Sequence, residues 1–213
     1  MFDPRRLLSI SSVYRSLQAR LRSDGSVSRL TGEFLRITPG QRVLDIGCGP
    51  ADILAYLPVD IDYQGYDAES NYIATARKRY GERGSFSVRA VSPEAVDDIG
   101  TFDVVMSLAV LHHLTDAEAD TLFASAAKVL RPGGRVITLD CAYVDGQNPV
   151  ARLLASLDRG KHVRSPDSYL SLARRHFEQA DATILHDLIA VPYTHCIIEA
   201  RTPRHPADIP PRL

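Results

Sequence analysis

Val43-Leu44-Asp45-Ile46-Gly47-Cys48-Gly49-Pro50 decides how the chain is read. Val43 to Ile46 suits a short buried strand carrying one acid. Two glycines one residue apart follow, and Ala51 to Leu57 then opens a helix. Strand, glycine turn, helix is the unit that sets a ligand at the carboxyl end of a parallel sheet, beside a helix N-terminus. Gly47 and Gly49 lack Cβ, so the backbone turns sharply there and a ligand can lie directly on it.

The rest of the chain is compatible with one domain built around that unit. Its 213 residues are enough for a single sizeable core. With 45% hydrophobic and 24% charged residues it has the balance of a soluble globular protein. A net charge of -1 supplies no global field to recruit nucleic acid. Cys48, Cys141 and Cys196 are odd in number, far apart and in apolar surroundings, which predicts reduced thiols rather than a disulfide framework. No apolar run approaches membrane-spanning length, and the N-terminal arginines lack a signal-type apolar core. A cytoplasmic protein without membrane insertion is expected.

Outward from the glycine loop, strands and helices alternate. Strands are expected at 42–46, 61–66, 85–89, 102–107 and 135–140. Helices are expected at 51–57, 70–80 and 116–130, with a short helical piece at 93–97. The last long helix is started by Thr115 and stopped by Pro132-Gly133-Gly134. Residues 37–141 thus form the ligand-binding core. Before it, 1–36 reads as N-terminal helices, a candidate lid. Ile10, Val13, Tyr14, Leu17 and Leu21 recur at helical spacing over 5–22, and a shorter helix covers 27–36. After the core, 142–180 reads as a helical insertion on the substrate side, with helices at 144–157 and 166–176. Residues 181–201 read as two closing strands, 182–190 and 193–200, joined by a short Val191-Pro192 connection and therefore antiparallel. The proline-rich 202–213 reads as a disordered tail.

Asp67 ends the second strand twenty residues after Gly47. In parallel nucleotide-binding sheets a carboxylate there grips the ribose hydroxyls. A nicotinamide pyrophosphate wants a third glycine where Asp52 stands, so a ligand lacking phosphates suits the loop better.

These residues resemble a known family. Val43 to Pro50 looks like the first motif of class I S-adenosylmethionine-dependent methyltransferases of the small-molecule type, and Gly65-Tyr66-Asp67 is similar to the second. Phe102 to Leu114 resembles the fourth, and Leu130-Arg131-Pro132-Gly133-Gly134-Arg135 resembles the stretch that introduces strand five. The resemblance implies an α/β fold, a three-layer Rossmann-like sandwich. Its seven-stranded, mostly parallel sheet would have the order 3-2-1-4-5-7-6 and an antiparallel last strand. It implies S-adenosyl-L-methionine as cofactor and S-adenosyl-L-homocysteine as product. Gly47, Cys48 and Gly49 would lie against the methionine part, and Asp45 would hold its amino group. Asp67 would take the ribose hydroxyls. Ala68, Ala90 and Val91 would edge the adenine, and Ser107 would approach the methionine. The family often has an acid or amide near Ala90; alanine leaves only backbone contact there.

Three sets of residues are candidates for the acceptor side. His112 and His113 are adjacent, so on a helical turn they point about 100° apart. That argues against joint ligation, and no metal is expected. A role around the cofactor, or as a general base, remains for either, and for His195. The turn Asp158-Arg159-Gly160-Lys161-His162-Val163-Arg164 gathers cations near the carboxyl edge. Arg159 and Arg164, with Tyr169 beyond, suggest a small and anionic acceptor. Tyr193 opens the last strand beside His195, and Tyr14 and Arg29 belong to the candidate lid.

Methyl transfer to the oxygen, nitrogen or carbon of a small molecule is therefore the expected function. The rival readings are a non-catalytic methyltransferase-like partner subunit and an NAD(P)-dependent oxidoreductase. A base-modifying nucleic-acid enzyme is disfavoured, because Ser107-Leu108-Ala109-Val110 stands where an Asn/Asp-Pro-Pro-Tyr-like motif would be.

Overall fold

A computed structural model of the chain describes residues 24–90, 92–93, 96–158 and 160–209. The helix expected at 5–22 with Tyr14, and the positions Val91 and Arg159, lie outside the described residues. No helix among those described is long and apolar enough to cross a membrane.

Seven strands make one sheet. They are β1 Arg42–Ile46, β2 Asp62–Asp67, β3 Ser85–Val88, β4 Phe102–Leu108, β5 Leu130–Cys141, β6 Phe177–Leu185 and β7 His195–Pro203, in the order β3-β2-β1-β4-β5-β7-β6. The first five pair in parallel. β7 runs antiparallel between β5 and β6. This is the expected strand order.

Five described helices accompany the sheet: α1 Asp24–Arg29, α2 Ser70–Tyr80, α3 Asp116–Val129, α4 Pro149–Leu157 and α5 Pro166–His176. Strand alternation sends Leu44, Ile46 and Val105 to one face of the sheet, where they pack with Phe123 and Ala126 of α3 and with Tyr169 and Ala173 of α5. Val43, Val104 and Met106 face the other way, onto Leu54, Ile73 and Ala76. A sheet with both faces covered is the three-layer sandwich, and it explains why these strands read as continuous apolar runs.

Local chemistry sets several boundaries. Thr115 caps α3 in a full capping box: its side chain accepts from Glu118 N, and the Glu118 carboxylate accepts from Thr115 N at 2.8 Å. The helix expected from 144 begins only at Pro149, because Asn148 Oδ1 accepts from Val150 N and proline takes the first turn. The helix expected at 51–57 is a 3-10 turn, Asp52–Tyr56, entered through Ala51 at φ 58°. The helix expected at 27–36 is α1 followed by a wide turn over Leu30–Leu35. It ends at Arg36, whose carbonyl accepts from the buried Arg135 guanidinium at 2.8 Å.

The closing strands differ most from expectation. β6 starts at Phe177, directly after α5, because Phe177 is fully buried against Phe123. It ends at Leu185, so residues 186–194, not Val191-Pro192 alone, connect it to β7. The disordered tail expected from Thr202 is also corrected. Thr202 and Pro203 continue β7, with Pro203 opposite Phe177, and Arg204 N donates to His176 O at 2.8 Å. A 3-10 turn, Pro206–Asp208, follows.

Candidate active site

The cleft forms where β1 and β4 part. Their pairing runs from Val43–Val104 to Asp45–Met106 and ends there, while β4 continues along β5 to Leu108. A parallel sheet binds ligands at such a divergence, over its carboxyl ends. Ser107 sits at this point, fully buried, and its Oγ donates to Ile46 O at 2.9 Å. The side chain is thus a tie between β1 and β4, and only its backbone is left for a ligand.

The glycine loop is held from below. Gly47 N and Cys48 N both donate to Tyr66 O, at 2.7 and 3.0 Å. Gly47 has φ +77°, and a Cβ there would meet Val110 at 2.4 Å, so glycine is required on both counts. Gly49 has φ +54° with nothing within 4 Å of its would-be Cβ, so this part of the loop faces open space. Cys48 packs into β2, its Sγ 2.9 Å from where a Cβ on Gly65 would lie. Burial drives its thiol pKa up, which makes it a packing group and not a nucleophile.

Two carboxylates flank the loop. Asp67 Oδ2 accepts from Gly49 N at 2.9 Å and Oδ1 from Glu69 N at 2.8 Å, so Asp67 orients the loop as well as facing the cleft. Asp45 is 2% exposed. Its Oδ2 accepts from Tyr63 Oη at 2.6 Å, and its Oδ1 has no hydrogen-bond partner among the described residues. Burial raises its pKa to about 7, the Tyr63 hydrogen bond opposes that rise, and the Asp67 charge adds to it. A buried carboxylate oxygen without a donor marks a place for one. The ammonium of an amino-acid-like ligand fits it. Ala68 and Ala90 are exposed at the rim after β2 and β3.

A second cluster lies beyond β4, on the 3-10 turn Leu111–His113. His112 is buried. Asp140, near the end of β5, accepts from its backbone N at 3.1 Å and from Nδ1 at 2.7 Å. Its other ring nitrogen, Nε2, lies 3.4 Å from Asp158 Oδ1. Burial alone lowers the His112 pKa, but the hydrogen bonds to Asp140 and Asp158 and their charges outweigh it and raise the pKa to about 9. The corner favours positive charge. His113 is exposed, with its ring centroid 4.1 Å from that of His112 and the two rings tilted by 40°. Tyr193 Oη donates to Asp158 Oδ2 at 3.3 Å, and the Tyr193 ring lies 5.0 Å from that of the buried His195. His113, His112 and Tyr193 are therefore brought to one place, at the carboxyl edge beside β5.

The basic turn does different work from that expected. Arg164 is folded inward: its guanidinium donates to Leu111 O at 2.8 Å, Leu114 O at 2.7 Å and His162 O at 2.9 Å, and it pairs with Asp116. It is a clamp on the histidine turn and has no capacity left for an anionic acceptor. Tyr169 is likewise buried, with Oη donating to Cys141 O at 3.1 Å, so it braces β5 and does not face a substrate. Gly160 explains the turn: a Cβ there would sit 2.1 Å from His112 Cδ2, so residues 158–162 rest directly on the histidine. Next to this corner, a cavity of about 530 Å³ is lined by Asp145, Gln147, His186, Asp187, Tyr193 and Thr194 among others. None of its described lining residues is lysine or arginine. Arg29 pairs with Asp187 at 2.9 Å on its margin.

Asp140 and Asp158 did not stand out in the sequence. Asp140 had a usable signal, an acid at a strand's carboxyl end, the same signal that marks Asp67. Asp158 had none, because only the fold of its turn brings it to His112.

Comparison with known proteins agrees with this geometry. The profile of the family described as "Methyltransferase domain" matches residues 43–134. A ubiquinone biosynthesis O-methyltransferase of Bradyrhizobium sp. is 35% identical over 107 residues, 48% of this chain and 41% of that protein. A phosphoethanolamine N-methyltransferase of Triticum aestivum is 31% identical over 143 residues, 64% of this chain and 28% of that protein. The chain thus spans less than half the length of these curated relatives. Among solved structures, the apo form of the S-adenosylmethionine-dependent methyltransferase SibL superposes with a TM-score of 0.70 at 20% identity, covering 90% of this chain and 58% of that one. A Haemonchus contortus phosphoethanolamine N-methyltransferase 2 superposes with a TM-score of 0.65 at 18% identity, covering 85% and 53%. With the strand order, the glycine loop and the matched profile in agreement, the chain has the fold of the class I S-adenosylmethionine-dependent methyltransferases, and its residues 43–134 are similar to the methyltransferase domain.

Proposed function

We propose that this chain transfers a methyl group from S-adenosyl-L-methionine to a small-molecule acceptor. The observation that carries the reading is the partnerless Asp45 Oδ1 beside Asp67, with the open Gly49 between them. An ammonium on Asp45 and a ribose diol on Asp67 place the two ends of this one cofactor across the loop. The cofactor supplies an electrophilic methyl on sulfonium and a neutral sulfide leaving group. The protein's part is positional. Asp45 accepts from the amino group. Asp67, fixed by Gly49 N and Glu69 N, presents its carboxylate to the ribose. Gly47 and Gly49 let the ligand lie on the backbone, and Ala68 and Ala90 edge the adenine. Holding an acceptor atom in line with the breaking bond then supplies much of the acceleration.

The acceptor belongs next to the His112–His113 corner, in the cavity walled by Tyr193. A hydroxyl acceptor gives up its proton there. His195 is buried against the Tyr193 ring, whereas His113 is exposed, so the corner is the better site for that step. The oxidoreductase alternative has little support, since Asp52 stands where a nicotinamide pyrophosphate wants a third glycine.

Equilibrium dialysis of the full chain against S-adenosylmethionine, S-adenosylhomocysteine and NADH separates the readings. Binding of the first two without the third is expected. Binding of NADH alone would show an oxidoreductase, and binding of none by the folded protein would show a partner subunit.

A further inference from the structure

We infer that His112, His113 and Asp158 form a binding site for a divalent transition metal, zinc being the best fit, at the acceptor end of the cleft. One ligand atom from each of the three lies within 4.8 Å of the others. The inference rests on the methyl-transfer reading for its purpose, though not for its geometry.

The Asp140 carboxylate accepts from His112 Nδ1 at 2.7 Å, which fixes a hydrogen on Nδ1 and leaves Nε2 as the outward nitrogen. Nε2 faces Asp158 Oδ1 at 3.4 Å, a pair that calls for a positive charge between its members. In the metal-free chain a proton on Nε2 supplies it, and a divalent ion would take that proton's place. A tetrahedral zinc with bonds of about 2.0–2.1 Å holds its ligand atoms about 3.4 Å apart, so the gap is wide enough for the ion.

The surroundings support the same assignment. A histidine ligand whose other nitrogen donates to a carboxylate is the usual outer-shell arrangement of a zinc site, and Asp140–His112 supplies it. Asp158 is oriented in turn by Tyr193 Oη on Oδ2 and by Gly160 N on Oδ1. His113 completes the set from the exposed side. The sequence argument against joint ligation assumed a regular helical turn. In the structure the two ring centroids lie only 4.1 Å apart, tilted by 40°, so both side chains reach the same space although the residues are adjacent. Three protein ligands leave a fourth position open toward solvent, the pattern of a catalytic and not a structural site. An acceptor hydroxyl occupying it loses its proton more readily, because the metal stabilises the alkoxide or phenolate that attacks the methyl. The hydroxyl proton passes to solvent, the oxygen–carbon bond forms and the carbon–sulfur bond breaks.

Cobalt(II) titration of the full chain, freed of metal by dialysis against a chelator, tests this directly. The expected result is one equivalent bound, with the intense visible absorption of a four-coordinate centre that zinc displaces. His113→Ala, at an exposed position, is expected to weaken binding by about tenfold or more in a protein that still unfolds cooperatively, and Asp158→Asn likewise. The inference is overturned if cobalt gives no such absorption, or if both variants keep the wild-type spectrum, which would place the ion elsewhere. Dialysis with S-adenosylhomocysteine on the same samples keeps the two readings apart. Cofactor binding without the cobalt spectrum sinks only the metal site, and the spectrum without cofactor binding sinks only the methyl-transfer reading.

Discussion

Asp45 is the residue at which burial and binding are most directly opposed. Its folded pKa, about 7, lies above the ordinary carboxyl value of 3.8. A carboxyl with a raised folded pKa binds protons more tightly in the folded state. Its contribution to stability is therefore complete below pH 3.8 and is lost as pH rises through about 7. The cofactor-free protein is expected to lose melting temperature between pH 5 and 8 through this group. Asp45→Asn should flatten that slope while weakening S-adenosylhomocysteine binding by at least about tenfold, the loss of a charge-assisted contact. Melting curves over that range check it, and a variant that keeps the wild-type slope contradicts the assignment. The sequence showed Asp45 as one acid in a buried strand. It gave no sign that Tyr63, eighteen positions on, occupies one carboxylate oxygen and leaves the other to a ligand. Asp67 was the more legible of the two, because a strand end plus a fixed spacing from a glycine loop is a local signal. Arg164 was misread for the opposite reason. A cluster of cations in sequence says nothing about which of them fold inward onto carbonyl groups.

At the scale of elements, α3 follows directly on the histidine turn, and Arg164, just before α5, clamps that turn through Leu111 O and Leu114 O. Thr115→Ala removes the capping box and should cost about 1 kcal/mol, a fall of about 2–4 °C in melting temperature for a chain of this size. Further along α3, Asp120 accepts from Arg175 at 2.8 Å and pairs with His176 at 2.7 Å, both on α5. Burial on its own raises the Asp120 pKa, but the His176 hydrogen bond and the charges of His176 and Arg175 pull it below the ordinary carboxyl value of 3.8. A depressed folded pKa means stability that is present above 3.8 and lost as pH falls through the lower, folded value. Asp120→Asn should therefore lower the melting temperature at pH 7, and the gap to wild type should close in strong acid. Calorimetry at both ends of that range checks the sign. The cap made α3 readable in the sequence, since Thr115 stands directly before the helix it starts. The boundaries of β6 were not, because they depend on Phe177 packing against Phe123, fifty-four positions away in the chain.

For the molecule as a whole, strand order followed from the resemblance and the cleft from the strand order. Alternating apolar runs and glycine turns announced parallel strands, and the point where β1 and β4 separate is where those turns converge. The acceptor side was far less legible. It is assembled from the end of β5, the turn before α5 and the connection into β7, pieces with no shared local pattern. Their meeting at His112 is a product of tertiary packing, with Gly160 allowing the close approach.

The central claim is that Asp45, the glycine loop and Asp67 hold S-adenosylmethionine. Calorimetric titration of S-adenosylhomocysteine into the wild-type chain and into Asp67→Ala tests it most directly. Micromolar, one-to-one binding by the wild type and its loss in a variant that still unfolds cooperatively is the expected result. Equal binding by both proteins, or none by a folded wild type, would contradict it.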